Sequence, residues 1–165
     1  MNYKPLIIVA GEPNSIFFEI FFKVIKRKIK SPIILIASKK LLIKQAKILK
    51  QKINFNLIHE SNVLQKKNNL KKINLINVEF EQRKAFTKIT LKSNHYISKC
   101  FDIAIKLLKN GVSNKLINGP ISKNTFLQNK FNGITEYLAN KTNTKNFAMV
   151  IYNKNLSVCP LTTHL

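Results

Sequence analysis

Short apolar runs alternate along this chain with stretches that repeat apolar residues at helical spacing, a pattern that predicts an α/β fold. Residues 4–10 and 31–37 read as buried strands, because neither run breaks for a polar position once it has begun. Between them, after the turn at "GEPN", residues 15–30 predict a helix. Glu19, Lys23, Lys26, Arg27 and Lys30 share one narrow face, Glu19 and Lys23 form an i, i+4 pair, and Phe17, Phe18, Phe21, Phe22 and Ile25 make the rest apolar. Such a helix is expected to pack on a sheet, in preference to lying on a membrane surface. Residues 38–52 predict an amphipathic helix with Ser38 as its N-cap. Further strands are expected at 54–60 and 73–80, around a Lys/Asn-rich connection at 65–72.

The clearest helix is "SNHYISKCFDIAIKLLKNG" (93–111). Ser93 or Asn94 is placed to cap it, Ile97, Cys100, Phe101, Ala104 and Leu108 form one apolar face, and Gly111 supplies the stop. Residues 114–120 then read as a strand entering a turn, 122–130 as the start of another helix, and 146–153 and 156–165 as closing strands. No internal repeat or interdomain linker interrupts this order.

Composition narrows the picture. A length of 165 residues with 45% hydrophobic content suits a domain with a real core. No apolar run approaches the roughly 18 residues of a membrane-spanning helix, and the N-terminus lacks the h-region of a secretory leader, so a cytoplasmic location without membrane association is expected. Cys100 and Cys159, far apart and outside any CxxC, are expected to be buried free thiols. The net charge of +22 raises the possibility of a basic nucleic-acid-binding module. That reading is discounted: only Arg27 and Arg83 are arginines, the lysines are scattered, and the excess of Lys, Asn and Ile is the mark of A/T-rich codons.

Candidate chemistry is sparse. There is no GxGxxG after the first strand, and no Walker loop, GxSxG or HExxH. Of four glycines, Gly111 ends a helix, while Gly11 and Gly119 follow strands directly, where ligands bind in open α/β sheets. Glycine there serves positive φ or close approach to a ligand, although an ordinary loop glycine is the plainer reading of each alone. His59, near a strand end, reads as a surface or packing residue.

As a set, five motifs resemble one family, the 4-hydroxythreonine-4-phosphate dehydrogenases of vitamin B6 biosynthesis. They are "VAGEPNSI", "NHYISKCFDIAIKLLKNG", "LINGPISK", "FNGITEYLA" and "PLTTHL", in order across the chain. The resemblance implies the three-layer fold of the isocitrate and isopropylmalate dehydrogenases, with two α/β subdomains and a dimer. It implies NAD- or NADP-dependent oxidation and decarboxylation of 4-phosphooxy-L-threonine, a small phosphorylated amino acid. It also implies a divalent metal (zinc, magnesium or cobalt) held by three histidines. His164 matches one of the three and Thr135 matches a substrate-binding residue, with Asn118 and Lys123 in supporting roles. His95 belongs to the helix motif.

Two departures stand out. The family's substrate-binding histidine is Ile134 here, and losing such a contact costs about 1–3 kcal/mol. The stretch after Gly-Glu-Pro reads "NSIFF", which is expected to crowd a turn that the family keeps open. The resemblance further implies a continuation carrying the other two metal histidines and most of the cofactor site, so the chain is read as the N-terminal half of such an enzyme. A catalytic metal usually takes about three protein ligands, and activity from this half alone is not expected. The alternative is a non-catalytic remnant retaining at most its dimer contacts.

Overall fold

An all-apolar strand needs cover on both faces, and the central strand of this protein shows how the cover is supplied. The computed structural model describes residues 3–65 and 70–160. Strands β1 (Leu6–Val9), β2 (Ile33–Ala37), β3 (Asn56–Ile58), β4 (Ile73–Asn77) and β5 (Leu116–Asn118) form one parallel sheet in the order β3-β4-β2-β1-β5. Helices α1 (Phe17–Val24) and α2 (Lys39–Ile48) bury Phe18, Phe21, Phe22, Leu41 and Leu42 against Ile8, Ile33, Leu35 and Leu75. The alternate residues Ile7, Val9, Ile34, Ile36 and Ile76 are also buried, and α4 (Asn94–Lys109) packs over β1 and β2 to cover them, with α3 (Glu60–Leu64) beside it. The result is an α/β sheet sandwiched between helices, as the sequence pattern predicts.

Local chemistry sets the boundaries. The Ser38 hydroxyl accepts from the Leu41 N–H at 3.3 Å, the cap expected at the start of α2. Gly111, at φ +71°, ends α4, and Val112 N–H reaches back to the Leu107 carbonyl at 3.1 Å. On α4 it is Leu107, and not Leu108, that is fully buried.

Several expectations are corrected. The first helix spans eight residues, not 15–30. Arg27 N–H bonds the Val24 carbonyl in a tight turn, and Pro32 follows soon after, disfavouring helix in the residue before it. Its solvent side is broader than the charged residues suggest, since Ile16, Ile20 and Val24 are exposed. Ser93 makes no capping bond to α4; a 3₁₀ turn at Leu91–Ser93 precedes the helix and turns that hydroxyl elsewhere. The strand read at 54–60 is cut to three residues, because His59 caps α3 through Ser61 N–H to Nδ1 at 3.3 Å.

The chain divides into two compact units, Met1–Ser122 and Lys123–Leu165. In the second, 122–130 gives only a short π-helical turn, Lys123–Leu127, while α5 (Ile134–Thr142) begins at Gly133, which offers no side-chain cap. The Tyr137 ring meets Phe126 and Phe131 edge-on at 5.1 and 5.6 Å. Of the expected strands at 146–153 and 156–165, the described residues contain two-residue pieces, β6 (Ile151–Tyr152) and β7 (Ser157–Val158), paired antiparallel. Cys100 is buried as expected, but Cys159 is exposed.

Candidate functional site

In an open parallel sheet the natural ligand position lies beyond the carboxyl ends of the strands. Here the turn after β1 and the turn after β5 meet at that end. Gly11 sits at φ +75°, and a Cβ there would lie 2.4 Å from the Pro120 carbonyl oxygen. A Cβ on Gly119 would lie 2.0 Å from the Ala10 carbonyl oxygen. Glu12 N–H donates to the Pro120 carbonyl at 2.8 Å, and Gly119 N–H donates to that of Val9 at 2.7 Å. The two glycines therefore let backbone approach backbone. Gly11 thus serves the positive φ that is one of the two uses expected of it, and both glycines serve the packing of one turn on the other.

Glu12 is 2% exposed although it is an acid. Its Oε2 accepts from the Ser93 hydroxyl at 2.8 Å, and its Oε1 accepts from Asn14 N–H at 3.2 Å. The Ser93 proton is shared with the Thr90 carbonyl at 2.9 Å. A buried carboxyl group needs such donors, since burying polar oxygens without hydrogen bonds is costly. Asn14 extends the network: its Oδ1 accepts from Thr87 N–H at 2.8 Å and Gln82 Nε2 at 3.0 Å. Gln45 Nε2 donates to the Pro13 and Ala85 carbonyls, both at 2.8 Å. The segment between β4 and α4 is thus stitched over the turn that follows β1.

The carboxyl end of β2 is filled in the same manner. Ser38 N–H donates to the Tyr96 hydroxyl at 3.1 Å, the Ser38 hydroxyl to the Phe80 carbonyl at 3.3 Å, and Lys39 N–H to Asn77 Oδ1 at 2.8 Å. Burial holds the Tyr96 phenol well above its usual range, so it stays protonated. Glu12 of the first family-like motif is therefore tied to Ser93, the residue immediately before the second motif. Sequence reasoning missed this pair. The signal was Glu12 itself, one of seven acidic residues among 29 basic ones, placed directly after a strand.

Of the residues singled out in the sequence, Asn118 ends β5, half-buried, with Nδ2 donating to the Gly119 carbonyl at 3.1 Å. Lys123 is exposed in the second unit, and Ile134 and Thr135 open α5 there, half-buried. His164 lies outside the described residues. His59 and His95 are exposed. Among the described residues no three His, Cys, Asp or Glu converge to hold a metal, and no helix is long and apolar enough to cross a membrane. In the "NSIFF" stretch Phe17 and Phe18 are buried in the core, and Phe17 lies against Gly119 in the turn after β5.

The network positions backbone around one buried carboxyl group; its described atoms offer no activated nucleophile. Comparison with known proteins supplies what the geometry leaves open. The family model described as pyridoxal phosphate biosynthetic protein PdxA matches residues 28–165. The 4-hydroxythreonine-4-phosphate dehydrogenase of Sulfurihydrogenibium sp. (strain YO3AOP1) is 30% identical over 164 residues, which is 97% of this chain and 49% of that one. The enzyme of the same name from Vibrio parahaemolyticus is 26% identical over 169 residues, covering 99% and 50%. The chain thus spans about half the length of the curated relatives it matches. Crystal structures of 4-hydroxythreonine-4-phosphate dehydrogenases from Burkholderia phymatum and Klebsiella pneumoniae superpose with TM-scores of 0.81 and 0.78. They are 19% and 20% identical, cover 99% and 94% of this chain, and are spanned over 51% and 49% of their own lengths. At those identities the likeness speaks to fold.

Proposed function

The chain belongs to the pyridoxal phosphate biosynthetic protein PdxA family, and on that premise we propose that it supplies the N-terminal half of a 4-hydroxythreonine-4-phosphate dehydrogenase. The reaction in this reading is oxidation of the secondary alcohol of 4-phosphooxy-L-threonine, with NAD or NADP taking the hydride, followed by loss of carbon dioxide. The fold is that of the isocitrate and isopropylmalate dehydrogenases. The working form is a cytoplasmic homodimer. Exposed Ile151, Leu156 and Val158 on the β6–β7 hairpin support a covered, dimeric state.

The observation that carries the reading is the family match over residues 28–165. Within it, Thr135 in the first turn of α5 binds substrate through its hydroxyl. Asn118 at the end of β5 and Lys123 act in support. Ile134 leaves one substrate contact unmade. His164 is the one metal ligand this chain contributes toward a divalent ion such as zinc, magnesium or cobalt. The described residues alone do not fit a metal, so no step is derived through one.

The test is an assay of nicotinamide reduction with 4-phosphooxy-L-threonine, run on the chain alone and mixed with the C-terminal half of a relative. Inactivity alone and activity in the mixture, abolished by His164→Ala, is the expected result. Activity of the chain alone would sink the half-site reading. Inactivity of a verified complex would leave the second reading, a non-catalytic remnant, which Ile134 favours.

A further inference from the structure

A crevice also opens at the carboxyl end of the sheet beyond β3 and β4, toward the edge opposite β5, and plays no part in the network around Glu12. It encloses about 690 Å³, within the usual range for small-molecule sites. Its floor is apolar: Ile58 and Ile76 are buried beneath it, and Ile103 of α4 forms one wall. The polar groups on its rim are unevenly engaged. Glu60 is neutralised by Lys106 at 2.9 Å. His59 Nδ1 accepts from Ser61 N–H at 3.3 Å and lies 2.7 Å from the Ser61 hydroxyl. With Nδ1 accepting, the neutral imidazole carries its proton on Nε2. Among the described residues neither His59 Nε2 nor the Lys99 ammonium has a hydrogen-bond or ion-pair partner. The rim therefore offers two donors, one of them cationic, above an apolar floor.

We infer that this crevice binds a small amphipathic anion, a carboxylate with an apolar body that rests on Ile58, Ile76 and Ile103 while its head meets Lys99 and His59. The assignment is independent of the dehydrogenase reading and uses none of its residues. A neutral alcohol of the same shape would bury the same apolar surface but offer the two donors only one uncharged hydroxyl oxygen. The charged ligand should bind more tightly for that reason.

The probe is 2-naphthoate, titrated into the isotopically labelled chain and followed by the methyl resonances of its isoleucines. Saturable shifts are expected at Ile58, Ile76 and Ile103, with about tenfold weaker binding of 2-naphthylmethanol. Lys99→Met should weaken naphthoate binding by a similar factor and leave the alcohol unaffected. Because His59 also caps α3, Lys99→Met decides the matter, and a His59→Gln variant serves as a second check. The inference is overturned if millimolar naphthoate leaves these methyls unmoved. It is overturned equally if shifts appear instead at Ile151, or if the acid and the alcohol bind alike.

Discussion

Ile36 and Ile151 are the same side chain in strands of the same protein, yet Ile36 is 0% exposed and Ile151 is 60% exposed. Ile36 belongs to β2, which has parallel partners on both edges and helices over both faces. Ile151 belongs to a ladder of two residue pairs, and an isolated two-stranded hairpin is marginal in water. An apolar run in the sequence declares that something must cover it. It does not say whether the cover is made by the run's own unit. The first unit closes its core with its own helices, whereas the hairpin of the second leaves Tyr152 79% exposed.

Substitutions should widen that contrast in graded steps. Leu35→Ala, at a fully buried site in β2, should destabilise the first unit by about 2–5 kcal/mol in urea unfolding. A loss under about 1 kcal/mol would mean that the core is looser than its burial indicates. Gly11→Ala forces a positive φ on alanine and drives its methyl into the Pro120 carbonyl, so a loss of about 2–4 kcal/mol is expected. Ser93→Ala removes the hydroxyl donor from buried Glu12 and should cost about 1–3 kcal/mol; Ser93→Thr should restore part of it. Tyr152→Ser should change unfolding by less than about 0.5 kcal/mol while reducing self-association in sedimentation. A large stability loss there would refute the contrast.

The two thiols sharpen the comparison without any mutation. Burial pushes the Cys100 thiol from its ordinary 9.0 up to about 12, against a smaller lowering by its bond to Tyr96. It should resist labelling by a disulfide reagent until the unit unfolds, while exposed Cys159 reacts at once. The sign of the pH effect follows. Between about pH 9 and 12 the unfolded chain has released this proton and the folded chain has kept it. Stability attributable to Cys100 is therefore full below pH 9 and falls as pH rises through that window. A melting midpoint indifferent to pH across it, while Cys100→Ala is equally flat, would refute the assignment.

What could be read in advance depended on how local the cause was. The strand at 33–37 and the cap at Ser38 are written in neighbouring residues, so apolar continuity and a hydroxyl at the right offset sufficed. The end of α1 was overrun because the apolar positions continue to Ile25 and Ile29, beyond the point where the backbone has already turned. Helix α5 was missed because Gly133 provides no hydroxyl to announce it. The Glu12–Ser93 bond joins residues 81 positions apart, and no periodicity encodes such a distance. At the candidate site, Asn118 was placed at a strand end from the sequence alone. The meeting of Gly11 with Gly119 appears only once β5 lies beside β1.

That adjacency has a consequence for how the protein is made. On the ribosome β1 gains its first neighbour when Ile33–Ala37 emerges, but its other edge pairs with Leu116–Asn118, roughly eighty residues later. At about 5–20 residues per second, that edge stays unpaired for roughly 4–16 seconds of synthesis. A nascent chain in that interval presents Leu6–Val9 as an open apolar edge, so chaperone dependence during translation should exceed anything the stability of the finished sheet would suggest.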